Sequence, residues 1–370
     1  MFVSCGEDAK YDVLHDQAFI AQTNTSGNAS QKLTVGNDAV STTVTVRLSD
    51  PTAEDCAFEL VADASVLDRY NERNSESLAM LPEEGYELSS SLISVEAGSS
   101  NSQPVTLTVN PFTEELSNTG LKYAIPLRLK SKDGKKNVLS SGSELVIVLD
   151  KVPIQAVPVL DYQHRVTCKW ANHPFSFNEW TCEFNINMAT LGTSVGRYNN
   201  QAIFSISVNP GVEIYARFGD APIRGDVFQV KTQGTQMNSN TQFAMNTWYH
   251  LAIVCTGSKF YYYVNGVLDN SMDLPNTGYT TASDTWGMCN GSMLVSKVRM
   301  AEFRFWTKAR TQAEIANSMY SVDPTSEGLE AYFKMNEGSG KDFIDATGHG
   351  NTATALDNVP WESDTRIDGK

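Results

Sequence analysis

Within residues 11–152, apolar and polar side chains alternate one by one along several short runs. Val44, Val46 and Leu48 interleave with Thr43, Thr45 and Arg47; Val105, Leu107 and Val109 repeat the pattern, as do Ile125, Leu127 and Leu129. A period of two sends successive side chains to opposite faces, so these runs predict antiparallel strands with one buried and one solvated face. The stretch ELVIVLD, residues 144–150, is almost wholly apolar and predicts a strand covered on both sides. One segment, SVLDRYNERN, predicts a short helix, with Ser65 and Asp68 at capping-box spacing. Short strands around a single helix predict an Ig-like β-sandwich over residues 11–152.

At KVPIQAVPVLDY the pattern breaks. Pro153 and Pro158 remove backbone donors, which predicts a stiff linker over 153–163 and a second domain over 164–370. That domain is again strand-like and richer in aromatic residues. Along VEIYARFGD, Val212, Ile214, Ala216 and Phe218 fall on one face, with Glu213, Tyr215 and Arg217 on the other. In KFYYYVNGVLDN the pair Asn265-Gly266 stands between Val264 and Val267 and predicts a tight hairpin. Thr311 and Glu314 form a second capping-box pattern and predict a short helix in TQAEIANSMY. Many strands without a βαβ rhythm predict an all-β chain, its second domain a larger sandwich of jelly-roll type.

Composition narrows the partners. The 370 residues carry 28 Lys and Arg against 43 Asp and Glu, a net charge of −15, which argues against nucleic acid. No run of about 18 apolar residues is present, so no helix is expected to span a bilayer. The six cysteines include no CxxC pair, and the five histidines show no HxH or HExxH spacing for zinc. Buried free thiols are favoured over a Cys168–Cys182 or Cys255–Cys289 bridge.

Three stretches of the second half are NTWYHLAIVCTGSKFYYYVNGVLDNS, MAEFRFWTKARTQAEIANSMY and GLEAYFKMNEGSGKDFIDATGHGN. In that order they resemble the laminin-G-like domain of the concanavalin A-like lectin/glucanase superfamily. The resemblance runs through Trp248, His250, Asn265, Gly266, Glu302, Arg304, Trp306, Glu337, Gly338, Gly340, Asp345, Gly348 and Asn351, over roughly residues 160–370. It implies a concanavalin A-like jelly roll, frequently a glycan-binding one, with calcium a recurrent ligand at a sheet edge. In the first half, VRLSDPTAEDCAFELVADASVLDRYNERNS, LPEEGYELSSSLISVEAG and YAIPLRLKS resemble a domain found at the N-terminus of bacterial surface lipoproteins of glycan-degrading gut commensals.

Most of these motif residues read as scaffold. Trp248 and His250 share a strand face and are expected in the core, and Glu302 and Arg304, two apart, are expected to form a structural ion pair. Ca2+ is the candidate cofactor, with Asp220, Asp226, Asp345 and Asn351 the oxygen ligands on offer at turns. Catalysis finds less support. The E-x-D-x-E strand pattern that the resemblance would imply for a glucanase is absent, and so are G-x-S-x-G and phosphate loops.

Sugars stack their C–H faces on aromatic rings and hydrogen-bond to fixed polar groups. Trp286, Tyr215 and Arg217 are the binding residues expected here, among a wider set of Trp170, Trp180, Tyr198 and Tyr279. The opening FVSC resembles the end of a bacterial lipobox, with Cys5 as lipid-bearing residue and residues 1–10 as its remnant and tether. The reading is a non-catalytic, lipid-anchored outer-membrane protein that captures polysaccharide or host glycan at the cell surface. A divergent glycoside hydrolase and a structural module presenting surface protein partners stand as the alternatives.

Overall fold

The computed structural model of the chain describes residues 15–23, 29–74, 76–209, 212–275 and 277–369. Cys5 and the tether expected over residues 1–10 lie outside them. The chain divides into two compact units, Met1–Val152 and Pro153–Lys370.

In the N-terminal unit the alternating runs are strands, and their apolar positions meet in one core of Val44, Val46, Leu48, Phe58, Leu107, Ile125, Leu127 and Ile147 among others. Strand Glu144–Lys151 is covered on both faces. Leu145, Ile147 and Leu149 enter that core, while Val146 and Val148 pack beneath the helix Ala64–Asn74 through Val66 and Leu67. The helix is opened by Asp63 rather than by the Ser65–Asp68 pair: Asp63 Oδ1 accepts from Ser65 N at 3.0 Å and from Ser65 Oγ at 2.7 Å. Strand Glu144–Lys151 pairs antiparallel with Tyr123–Ser131 and parallel with Ser30–Val35.

The segment expected as a linker is instead a strand of the C-terminal unit. Ile154–Leu160 pairs antiparallel with Trp361–Arg366 and with Val298–Trp306. Pro153 stands just before this strand, and Pro158 is accommodated within it opposite Trp361, just past a register slip between Gln155 and Val157. Val157 and Leu160 are fully buried.

Two sheets make the C-terminal sandwich. One contains Lys259–Val264, Trp248–Cys255, Trp180–Met188 and Val298–Trp306 as successive neighbours. The other runs through Thr235–Gln242, Ile223–Thr232, Val212–Asp220, Gln201–Asn209, Thr285–Met288, Val166–Lys169, Thr352–Ala355 and Asp342–Ile344. The space between is filled by aromatic rings: Phe184 stacks on Phe303 at 5.9 Å and Phe228 on Tyr262 at 5.3 Å. The expected hairpin turn is present, with Asn265 and Gly266 both at positive φ (50° and 75°). Cys56, Cys168, Cys182, Cys255 and Cys289 are all buried free thiols.

The outer face of the first sheet is closed by residues 307–328, which include the helix Gln312–Asn317 with its Thr311–Glu314 capping box. Under this cover lies a cluster of buried charge. Glu183 accepts from Trp306 Nε1 at 2.8 Å and from Arg310 Nη1; Glu302 accepts from Arg304 Nη2, and from Tyr332 Oη at 2.5 Å. Glu302 sits at φ 58° in a bulge, which turns its carboxylate toward Arg304 as an ion pair. Arg304 Nη1 and Arg310 Nη2 in turn donate to Ser318, at its carbonyl and hydroxyl, and so hold the cover down. His250 Nε2 lies 3.4 Å from Glu183 Oε2.

This cluster sets an acid limit on stability. Burial holds the His250 imidazole below its ordinary pKa, against the pull of Glu183. Burial alone would raise Glu183, but Arg310, His250 and Arg304 together hold it well below the carboxylate range. Both folded-state values lie beneath the unfolded ones, so the unfolded chain takes up more protons on acidification. The His250 contribution is complete above about pH 6.5 and the Glu183 contribution above about pH 4.3, and each is lost as pH falls below those values. The thermal midpoint is expected to drop between about pH 7 and pH 4, with His250→Gln flattening the upper part of the profile. Glu183→Gln, which strips the buried Arg310 guanidinium of its carboxylate and removes a second negative charge from beside Arg304, should cost about 3–5 kcal/mol in denaturant titration near neutrality. A midpoint insensitive to pH over that range would contradict this account.

Candidate functional site

The other sheet leaves its outer face open, and one cross-strand line on it can be read from the register. Thr354 faces Thr167, Thr167 faces Gly287, Gly287 faces Ser205, Ser205 faces Tyr215, and Tyr215 faces Lys231. Five strand spacings separate its ends, about 24 Å at ~4.8 Å each. The line is polar throughout and low in the middle, with Tyr215 as its single ring. Asn290 lies over Gly287 and donates to Ser205 Oγ at 3.0 Å, so a Cβ at Gly287 would fall 2.5 Å from the Asn290 amide nitrogen.

At one end of the strands, Tyr215 and Arg217 converge on the loop 189–200. Tyr215 Oη donates to Asn200 Oδ1 at 2.8 Å, and Arg217 Nη1 donates to the same oxygen at 2.7 Å. Arg217 also donates to Gln229 Oε1 from Nε at 2.9 Å and to Asp220 Oδ2 from Nη2 at 2.5 Å. Its guanidinium is buried and fully engaged, so Arg217 positions the loop rather than gripping a ligand. Burial raises the Tyr215 pKa, keeping its hydroxyl a donor.

The loop itself is strained. Tyr198 and Asn200 adopt φ of 50° and 56°, a region that costs a non-glycine residue about 1–3 kcal/mol. Close packing over-determines it: the Arg197 carbonyl oxygen sits where a Cβ on Gly225 would be 2.2 Å away and one on Gly192 1.9 Å away. Asn200 N donates to Gly219 O at 2.9 Å, and Gly196 N to Ile223 O at 2.9 Å. The result is an exposed ring, Tyr198, with the Arg197 guanidinium 4.8 Å from its centroid.

The sequence expectations therefore divide. Tyr215 and Arg217 share the outward face as expected, and Tyr198 is exposed. Trp286 is not a binding residue: it is buried, stacked on Trp170 at 4.9 Å and on Phe303 at 5.2 Å. Its neighbourhood in the sequence is turn-rich, but Thr285–Met288 is a strand whose inward positions are Trp286 and Met288. Trp170, Trp180 and Tyr279 are core residues too. Arg197 and Asn200 were not anticipated; their polar loop carries no periodic signal, and two of its positive φ angles, at Tyr198 and Asn200, fall on residues other than glycine.

The four candidate calcium ligands do not form a site. Asp220 is bound by Arg217, and Asp226 by Arg224 through bonds of 2.8 and 2.5 Å. Asp345 organises a turn, accepting from Tyr332 N, Thr347 N and Oγ1, and Asn351 N and Nδ2. Asn351 Oδ1 accepts from Ala171 N. Among the described residues no three His, Cys, Asp or Glu side chains converge as a metal ion would require.

A jelly-roll sandwich with one face sealed and the other open defines the class, that of lectin-like β-sandwich proteins. Residues 165–316 match the laminin-G-type model of the concanavalin A-like lectin/glucanases superfamily, so the C-terminal unit is a domain of that superfamily. Residues 14–136 match the model of a family of N-terminal domains. Among solved structures, the chain is similar to a proposed carbohydrate-binding protein from Bacteroides ovatus at 21% identity, covering 96% of this chain and 100% of that one with a TM-score of 0.67, a likeness of fold. The structure of Bacteroides thetaiotamicron EndoBT-3987 with Man5GlcNAc product matches at 20% identity over 33% of this chain and 28% of that one, TM-score 0.30. A SAP-like pentraxin from Limulus polyphemus matches at 12% over 59% of this chain and 98% of that one, TM-score 0.41. No curated protein matches.

Since each candidate carboxylate already has protein donors, a chelator is expected to leave the thermal midpoint unchanged. A drop of several degrees in EDTA, restored by added Ca2+, would show a bound ion that this geometry does not account for.

Proposed function

We propose that the protein is a non-catalytic carbohydrate-binding protein of the cell surface, its ligand held by the C-terminal domain along the open sheet and the loop at its end. The observation that carries the reading is the exposed Tyr198 ring, fixed by strained, close-packed backbone beside the hydroxyl-lined face. A ring held still costs little entropy to stack on a sugar, and small hydroxyl and amide groups suit its polar edge. The superfamily of the domain and the similar Bacteroides ovatus protein support the same class of ligand.

A glycosidase reading is weaker on geometry. The register places Glu213 and Asp342 on the open face five strand spacings apart, about 24 Å, whereas glycoside hydrolysis needs two carboxyl groups about 5–10 Å apart. Glu183 and Glu302 are enclosed in the sealed cluster, away from any substrate.

Affinity electrophoresis against a polysaccharide panel is the direct test. Retardation by at least one glycan, lost in Tyr198→Ala without a change in melting midpoint, is expected; loss of binding with no reducing-sugar release by the wild type completes the picture. Sustained release of reducing ends would replace this reading with a hydrolytic one.

The surface location is the part of the proposal that rests on sequence, through the FVSC resemblance and the lipoprotein-like first half. Among the described residues no helix is long and apolar enough to cross a membrane. With Cys5 as attachment site, labelled fatty acid is expected on the full-length protein and absent from Cys5→Ala. Label persisting in that variant would refute the anchor.

A further inference from the structure

Four loops meet at the end of the sandwich where strand Gln201–Asn209 begins: 189–200, 221–222, 243–247 and 289–297. They are tied to one another by backbone and side-chain bonds. Gln201 Oε1 accepts from Val295 N and Ser296 N at 3.3 and 3.0 Å, Ser296 Oγ accepts from Thr190 N at 2.9 Å, and Asn246 N donates to Met188 O at 2.8 Å. None of these loops contains an Asp or Glu, in a chain that has 43 acidic residues against 28 basic ones. The adjoining carboxylates, Asp220 and Asp226, are each neutralised by an arginine. Farther across the same end, Asp161 is bonded to His164 at 2.8 Å, and Asp357 lies on the segment after strand Thr352–Ala355.

Two cations remain at this end, with Lys297 in electrostatic range of a Glu362 carboxylate that Arg299 already binds. Arg197 and Lys297 are exposed and make no ion pair among the described residues. Among the described residues the exposed Arg197 guanidinium donates from Nη2 to Tyr198 Oη at 3.2 Å, and Nε and Nη1 make no hydrogen bond. The same loops expose apolar side chains: Val195 by 65%, Tyr198 by 37%, Met293 by 50% and Val295 by 57%. Positive charge beside exposed apolar surface, on a molecule of net charge −15, is local complementarity to a ligand that carries both a negative group and an apolar face.

We infer that this loop end selects a carboxylated saccharide. The ring C–H face lies on Tyr198, and the carboxylate takes the open edge of the Arg197 guanidinium, whose planar fork matches a carboxylate in two bonds. Lys297 adds attraction at longer range, and Asn200 joins these loops to the Tyr215 line, so the remaining chain of a polymer continues onto the open sheet. The inference rests on the carbohydrate-binding reading and narrows it to acidic glycans.

The test is affinity electrophoresis of the full chain against polygalacturonate, alginate and hyaluronan, against fully methyl-esterified polygalacturonate and neutral glucans and mannans, and against phosphatidylglycerol vesicles by flotation. Expected is binding to at least one acidic polysaccharide, weakened about tenfold or more in R197Q/K297Q and by esterification of the ligand. Lys259→Gln, at the opposite end of the sandwich, should leave it unchanged. Binding to neutral glycans alone, or equal affinity for free and esterified polygalacturonate, overturns the inference and leaves the carbohydrate-binding reading standing. Failure to bind any glycan overturns both. Vesicle binding without glycan binding assigns the surface to anionic lipid instead.

Discussion

The Glu183 carboxylate decides which side of the C-terminal sandwich can be used. It is wholly buried, and it holds the Trp306 indole, the Arg310 guanidinium and, at 3.6 Å, Arg304. An isolated ion at that depth would be prohibitively costly, so the carboxylate is tolerable only because both arginines and their own acceptors are in place. Those acceptors belong to the cover: Ser318 receives bonds from both arginines, and Asn185 beside Glu183 donates to Met319 O at 2.8 Å. The charge cluster and the cover are therefore one cooperative unit. Neither is stable without the other, and the face beneath them is closed to ligands.

The opposite face has no such constraint, and its chemistry differs accordingly. Most of its outward positions carry Thr, Ser, Gly and a few charged residues that need no partner when wetted; Tyr215, Arg217 and Gln229 are the more deeply set exceptions. Specific geometry enters only at the strand ends, where Arg217 spends its donors on Asn200, Gln229 and Asp220. This resembles the sealed side in one respect: a buried arginine whose partners lie on different elements fixes a segment that would otherwise move. On the sealed side the segment fixed is a lid. On the open side it is a loop that presents a ring.

How far the sequence reveals this follows from the range of the forces involved. Strand faces were legible because burial acts residue by residue: Ile214, Ala216 and Phe218 inward and Tyr215 outward follow from a period of two. The Asn265-Gly266 hairpin and the Thr311 capping box were legible because their causes are local. Pairing partners are not local. Pro153 and Pro158 marked a break by propensity, yet strand Ile154–Leu160 is fixed by Trp361–Arg366, some two hundred residues on. Trp286 failed for a related reason, since only its neighbours Trp170 and Phe303, brought in by other strands, show that its polar surroundings in the sequence are not its surroundings in space.

The loop at the site shows the remaining gap most clearly. Its conformation is set by contacts at Gly192 and Gly225, where the Arg197 carbonyl fills the space of a missing Cβ. Each glycine alone reads as an ordinary turn residue; together they allow two backbone segments to touch. That approach forces Tyr198 and Asn200 to positive φ, and the cost is offset by the bonds that Asn200 accepts from Tyr215 and Arg217. Strain held by a buried arginine is thus what sets the backbone from which the part-exposed Tyr198 ring stands beside Arg197.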